Sequence, residues 1–82
     1  MTLKYMITTN LKGRAAIELT QKLSTIPNQL WIDFNNRHIN PKSLIGLLSA
    51  TIKNGDIIQI LYYDNNITNS IKSIFSDIAV AV

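Results

Sequence analysis

The sequence predicts an α+β domain in which three helices cover one face of a four-stranded antiparallel sheet. Two kinds of periodicity carry this prediction: segments where apolar and polar residues alternate, and segments where apolar residues recur at helical spacing. Along the chain these segments follow the order strand, helix, strand, strand, short helix, strand, helix. A single layer of helices on an antiparallel sheet accommodates this order. The chain has no linker-like stretch, so residues 1–82 are expected to form one domain.

The first strand and a hairpin follow from alternating side chains. Residues 3–8 place apolar side chains at every second position, and residues 30–34 repeat that pattern. Asn35 and Asn36 come next, and asparagine tolerates the left-handed backbone conformation that a tight turn requires. A short strand over residues 37–40 is expected to complete the hairpin.

The fourth strand and the last helix are the clearest elements in the second half of the chain. Residues 57–63 form a β-branched and aromatic run that follows a turn at Asn54-Gly55. The helix is predicted from an apolar stripe at helical spacing, which would pack on the sheet. The stripe consists of Ile67, Ile71, Ile74, Phe75 and Ile78.

Two further helices are predicted earlier in the chain. Residues 13–23 change to helical spacing and end before Pro27. A short helix follows Pro41, with Ser43 as a suitable N-cap. Together, the strands and helices predict a core that contains Leu3, Tyr5, Leu19, Leu23, Ile32, Phe34, Ile58, Ile60, Ile71, Ile74 and Ile78.

Composition excludes several classes of function. The absence of cysteine rules out disulfides and thiolate chemistry, and a single histidine, His38, makes metal clusters and Ser-His-Asp catalysis poor interpretations. We therefore expect no enzyme activity, no metal and no cofactor. No apolar run is long enough to cross a bilayer, so a cytoplasmic location without membrane contact is expected. The net charge of +3 comes from scattered basic residues, which favours an ordinary solvated surface.

Two segments resemble a known family. Residues 40–49 combine a lysine, a serine, two large apolar residues and a glycine, like the regulatory serine segment of HPr from Gram-positive bacteria. Residues 11–16 resemble the HPr active-site segment, and their spacing to Ser43 needs no gap. Residues 53–56 match the family's turn before its last strand. The chain thus resembles the HPr/Crh family of the bacterial phosphotransferase system, which implies the HPr-like open-faced sandwich.

Departures from the family pattern bear on the implied function. In HPr, a histidine takes a phosphoryl group from enzyme I and passes it to the sugar-transporting enzymes II, but Lys12 occupies that position here. An alkylammonium group is protonated near neutral pH and offers no lone pair to phosphorus. We therefore expect no histidine phosphocarrier activity. Lys12 and Arg14, both beside a helix start, are candidate contacts for an anion or a partner's carboxylate.

The resemblance implies a regulatory role for Ser43. In the family, an HPr kinase/phosphorylase modifies this serine, and the product binds a catabolite-control transcription factor. Phosphate at the start of a helix would change the local surface charge without refolding the domain. Leu44, Ile45 and Leu48 would form the docking patch for the partner.

Two alternatives remain open. A chain with the HPr surface and no phosphate acceptor would bind enzyme I or an enzyme II of the phosphotransferase system non-productively, with Ile17 in the contact. The second alternative is a small nucleic-acid-binding α+β domain, suggested by the basic composition and by Trp31, Tyr62 and Tyr63. It is less favoured than either protein-binding role for two reasons. No basic cluster flanks Trp31, and Tyr62 lies on the same face of its strand as the predicted core residues. No direct nucleic-acid partner is therefore expected.

Overall fold

A computed structural model describes all residues 1–82 and consists of five strands and three α-helices. None of the helices combines the length and apolar character that a membrane span needs. The elements are β1 Thr2–Ile7, α1 Gly13–Leu23, β2 Leu30–Phe34, β3 Arg37–Ile39, α2 Leu44–Ser49, β4 Ile57–Tyr62, α3 Thr68–Phe75 and β5 Ala79–Ala81.

The strands form one antiparallel sheet in the order β3-β2-β4-β1-β5. The apolar side chains of each strand face the helices, and α1 contacts both α2 and α3. The opposite face of the sheet carries no helix. The predicted α+β open-faced sandwich is confirmed.

The predicted strand count was one too low. β5 comprises Ala79–Ala81 and pairs with β1, where Val80 lies opposite Met6. Three residues at the end of the chain are too few to show a clear alternation, and apolar residues at helical spacing continue up to Ile78. In the structure α3 ends at Phe75, and a 3₁₀ turn precedes it.

The hairpin between β2 and β3 has the predicted turn. Asn35 and Asn36 have φ angles of 51° and 61°, so both lie in the left-handed region. Two successive left-handed residues match the twist of the flanking strands. β3 ends at Ile39, one residue before the predicted end.

The core contains twenty apolar side chains from every major element. Phe75 is fully buried at its centre, and its ring stacks on Tyr5 with centroids 5.5 Å apart. Burial raises the pKa of the Tyr5 phenol above its ordinary value, and the nearby Tyr62 phenol acts in the same direction. The rings of Phe75 and Tyr5 therefore belong to the apolar interior.

Most of the predicted core is confirmed, but four of its residues are only partly buried and pack against its margin. Ile74 and Ile78 line an open cleft between α1 and α3, which explains their exposure. Phe34 is the last residue of β2, next to the hairpin turn. Leu3, in β1, is the fourth predicted core residue that is only partly buried.

A strained backbone position follows α2. Thr51 has a φ of 51°, which crowds a β-branched side chain, and the residue is exposed. Replacing Thr51 with glycine should therefore raise the free energy of unfolding by about 0.5–1 kcal/mol, measured by urea denaturation. The matched control is Thr8→Gly, because Thr8 is exposed with no such strain. The control should lose stability; a similar loss in Thr51→Gly would contradict the assignment of strain.

Candidate functional site

The start of α1 presents an exposed lysine and no capping side chain. Lys12 is the N-cap residue with extended backbone, and its side chain makes no hydrogen bond to the helix. Gly13 follows with a φ of 55°, a conformation that glycine adopts without strain. The first turn of α1 contains no acidic residue. Its free N–H groups therefore keep the partial positive charge of a helix N-terminus.

The loop before Lys12 is braced against the segment that follows α2. The Leu11 N–H donates to the Ile52 carbonyl at 2.9 Å, and the Asn54 N–H donates to the Asn10 side-chain oxygen at 2.8 Å. These bonds join two stretches of backbone that are far apart in the sequence. They place Lys12 beside the end of α2.

A cleft of about 270 Å³ lies between these two segments. Lys12 and Leu48 both line it, so the structure brings the predicted acceptor position next to the predicted docking patch. Lys53 adds a second cation to the rim, which sequence reasoning did not assign to the site. The full lining is Asn10, Leu11, Lys12, Leu48, Thr51, Ile52 and Lys53.

Arg14 does not join Lys12 in this cleft. It lines a separate depression of about 250 Å³ between α1 and α3, where Glu18, Lys22 and Asp77 are also found. Residues two positions apart on a helix do not share a face, which explains the separation. Lys12 and Arg14 therefore line different depressions, and both side chains are exposed.

Ser43 is the N-cap of α2, as predicted. Its backbone is extended and its Oγ accepts a hydrogen bond from the Gly46 N–H at 3.2 Å. No acidic residue lies in the first turn of this helix. A negative group on the serine oxygen would therefore meet helix N–H groups without a neighbouring carboxylate in that turn.

Lys42 holds the start of α2 against the loop that follows α1. Its Nζ donates to the Ile26 carbonyl and, at 2.8 Å, to the Asn28 carbonyl. The Lys42 N–H donates to the Asn40 side chain at 3.0 Å. This lysine is thus occupied by backbone carbonyls, a role that sequence reasoning missed because the partners lie 14 and 16 residues away.

The apolar surface around Ser43 is open to solvent. Ile45 is 79% exposed and Leu48 is 40% exposed, whereas Leu44 is half-buried and packs against the core. Ile17, on α1, is 43% exposed. The predicted docking patch and contact need accessible side chains, and all four are at least partly accessible, with Leu44 the least exposed.

The remaining candidate residues lie away from this surface. His38 is on β3, exposed on the sheet face opposite the helices, where it pairs with Asp33 of β2. Tyr62 is buried and its hydroxyl shares a 2.7 Å hydrogen bond with Thr68. Trp31 is half-buried on the open face of the sheet. With Tyr62 inside the core, the proposed aromatic set does not form a stacking surface for bases.

The chain folds as a small open-faced α+β sandwich. In it the start of α1, at Lys12, lies beside α2, which Ser43 caps. A family model described as "PTS HPr component phosphorylation site" matches residues 3–76. The chain therefore belongs to the HPr family of the phosphotransferase system. HPr is a phosphocarrier protein rather than an enzyme, and it interacts with the enzymes of that system.

Solved structures share the fold at low sequence identity. The phosphocarrier protein HPr from Bacillus anthracis str. Ames superposes with a TM-score of 0.85 and 18% identity, covering 95% of both chains. The histidine-containing phosphocarrier protein of a mycoplasma gives 0.80 and 24%, covering 94% of this chain and 93% of the other. HPr-C-His from Thermoanaerobacter tengcongensis gives 0.76 and 24%, with 93% and 85% covered. No curated protein sequence matches significantly.

Proposed function

We propose that this protein is a regulatory member of the HPr family that receives phosphate on Ser43 and does not carry it on histidine. The observation that carries the proposal is the exposed Lys12 at the N-cap of α1, where the resemblance puts the family's phosphate-accepting histidine. His38 offers no substitute, since it lies on the sheet face away from the helices.

The surroundings of Ser43 support its use as a phosphate acceptor. The oxygen lies at a helix start, where a phosphate of about −1.5 to −2 charges is favoured by N–H groups and the helix dipole. Exposed Ile45 and Leu48 flank it and give a partner an apolar contact. A phosphoserine with an apolar rim suits docking of a catabolite-control transcription factor after the action of an HPr kinase. The proposed location is the cytoplasm.

Treatment with HPr kinase and ATP tests the regulatory role. Ser43→Ala should abolish labelling and also lower the free energy of unfolding by about 1 kcal/mol, because the cap is lost. The matched control is Ser49→Ala, on the same helix, whose hydroxyl donates to the Ile45 carbonyl at 2.7 Å. Labelling should persist in that control. Phosphate found on Ser49 or Thr51 instead, or on no residue, would contradict the proposal.

A second candidate function is non-productive binding to enzyme I or an enzyme II. Exposed Ile17 on α1 favours it, as does the cleft that Lys12 shares with Leu48. Titration calorimetry with enzyme I distinguishes the two roles when it is combined with the kinase assay. Binding to enzyme I by a protein that the kinase does not modify would favour this second role.

A further inference from the structure

The open face of the sheet carries one cation and one anion at equivalent positions on either side of its central strand, β4. In the middle of this face, Gln59 of β4 lies between Lys4 of β1 and Asp33 of β2, each in register with it. The three side chains line a shallow hollow of about 230 Å³. One cation and one anion therefore lie on opposite sides of a neutral amide.

Neither Lys4 nor Asp33 forms an ion pair within the chain, although His38 of β3 lies in register with Asp33. The one ion pair in the structure joins Lys53 to Asp56. β4 separates Lys4 from Asp33 by two strand spacings, roughly 9–10 Å, and no ion pair joins them. Both charges are consequently available to an external group.

Apolar side chains lie on β4 on either side of Gln59. Ile57 is 49% exposed and Leu61 is half-buried, and both have the same parity as Gln59. Val80 of β5, 47% exposed, extends the apolar end of the face beside Met6. Burial of these side chains would stabilise a complex that covered the face.

We propose that the open face of the sheet is a self-association surface whose occupant is a second copy of this chain. A two-fold axis in the plane of the face, close to parallel with β4, places Lys4 of one copy against Asp33 of the other. The same axis forms this ion pair twice, as a closed two-fold interface requires.

The residues on the axis are compatible with meeting their own copies. Ile57 meets Ile57 and Leu61 meets Leu61, which are apolar contacts. Gln59 meets Gln59, and a side-chain amide both donates and accepts hydrogen bonds, so two of them can pair. An axis perpendicular to the strands would instead bring Lys4 against Lys4 and Asp33 against Asp33, which is unfavourable.

The size of the face indicates a weak dimer. The five strands contain 23 residues, and at roughly 4.8 Å by 3.3 Å for each residue the face has a footprint of about 360 Å². A standard stable interface buries about 800 Å² per partner. The exposed patch of Ile45 and Leu48 projects from the helical side, so the dimer leaves it free. The proposal does not depend on the function of Ser43.

Sedimentation equilibrium of the unmodified full chain tests the proposal. The average mass should rise from the 9.2 kDa monomer at about 10 µM towards twice that value near 1 mM. Amide chemical shifts that change over the same range should map to β1, β2 and β4. A monomer throughout, or shifts confined to α1 and α2, would overturn the proposal.

A charge exchange tests the predicted pairing. Lys4→Asp alone places carboxylates opposite each other and should raise the dissociation constant at least tenfold. Adding Asp33→Lys to the same chain should restore dimerisation, since the pair is then reversed. The control is Lys72→Asp, an equal change of charge at an exposed position of α3, which should leave the dissociation constant unchanged. Circular dichroism checks that each variant is folded. Failure of the double variant to recover would contradict this geometry.

Discussion

Incubation with enzyme I and phosphoenolpyruvate should leave this protein without phosphate. Lys12 presents an alkylammonium group at the start of α1, and such a group is a hydrogen-bond donor with no lone pair that could attack phosphorus. Imidazole is largely neutral under the same conditions and has a free ring nitrogen. His38 is exposed but lies on the other side of the sheet from α1, so it is not expected to replace the missing acceptor.

A gain-of-function variant makes this expectation sharper. Lys12→His puts imidazole at the uncapped helix start and should give measurable acid-labile phosphate, below one equivalent because Ala15 occupies the position of the family's proline. Lys53→His is the matched control, since it adds a histidine to the same cleft but away from the helix start. The control should remain unlabelled. Acid-labile phosphate on the unaltered protein would show that another residue accepts it.

Phe75→Ala should abolish most of the stability of the domain. Phe75 is fully buried and stacks on Tyr5, and removal of such a ring costs about 3–5 kcal/mol. The total stability of a domain this size is about 4–12 kcal/mol, so a large part of it would be lost. Urea denaturation followed by circular dichroism measures the change.

Tyr63→Ala provides the control for this large effect. Tyr63 is also aromatic but is 79% exposed, so its removal should change the free energy of unfolding by no more than about 0.5 kcal/mol. A loss of less than about 1 kcal/mol in Phe75→Ala would contradict the packing of α3 on β1.

Local sequence chemistry was sufficient for most of the fold. The alternation in residues 30–34 and the two asparagines after them specify strand, turn and register within a few positions. Such signals act over short distances, because each residue's backbone preference and the side-chain period suffice to detect them. α1 was predicted with the same bounds that the structure has, residues 13–23.

The fold was predicted less well where distant contacts decide the outcome. β5 is a strand because β1 offers it a free edge, and three residues cannot show that in isolation. α3 begins later than its apolar stripe because Asp64 caps a 3₁₀ turn before it, accepting from the Asn66 N–H at 2.9 Å.

The candidate site, too, was predicted well where local chemistry decides the structure and less well where distant contacts decide it. The capping bond of Ser43 and the exposure of Ile45 follow from local helix chemistry, and both were predicted. The role of Lys42 depends on carbonyls of another loop. The left-handed backbone conformation of Thr51 was not predicted either, because a β-branched residue is uncommon at positive φ.

Mapping of phosphate by tandem mass spectrometry tests the central claim most directly. The unaltered protein is incubated with both donor systems together: enzyme I with phosphoenolpyruvate, and HPr kinase with ATP. The peptides are handled at neutral pH so that phosphohistidine survives. We expect one phosphate, on Ser43, with Lys12 and His38 unmodified. Phosphate on His38 or Lys12, or none on Ser43, would contradict the account.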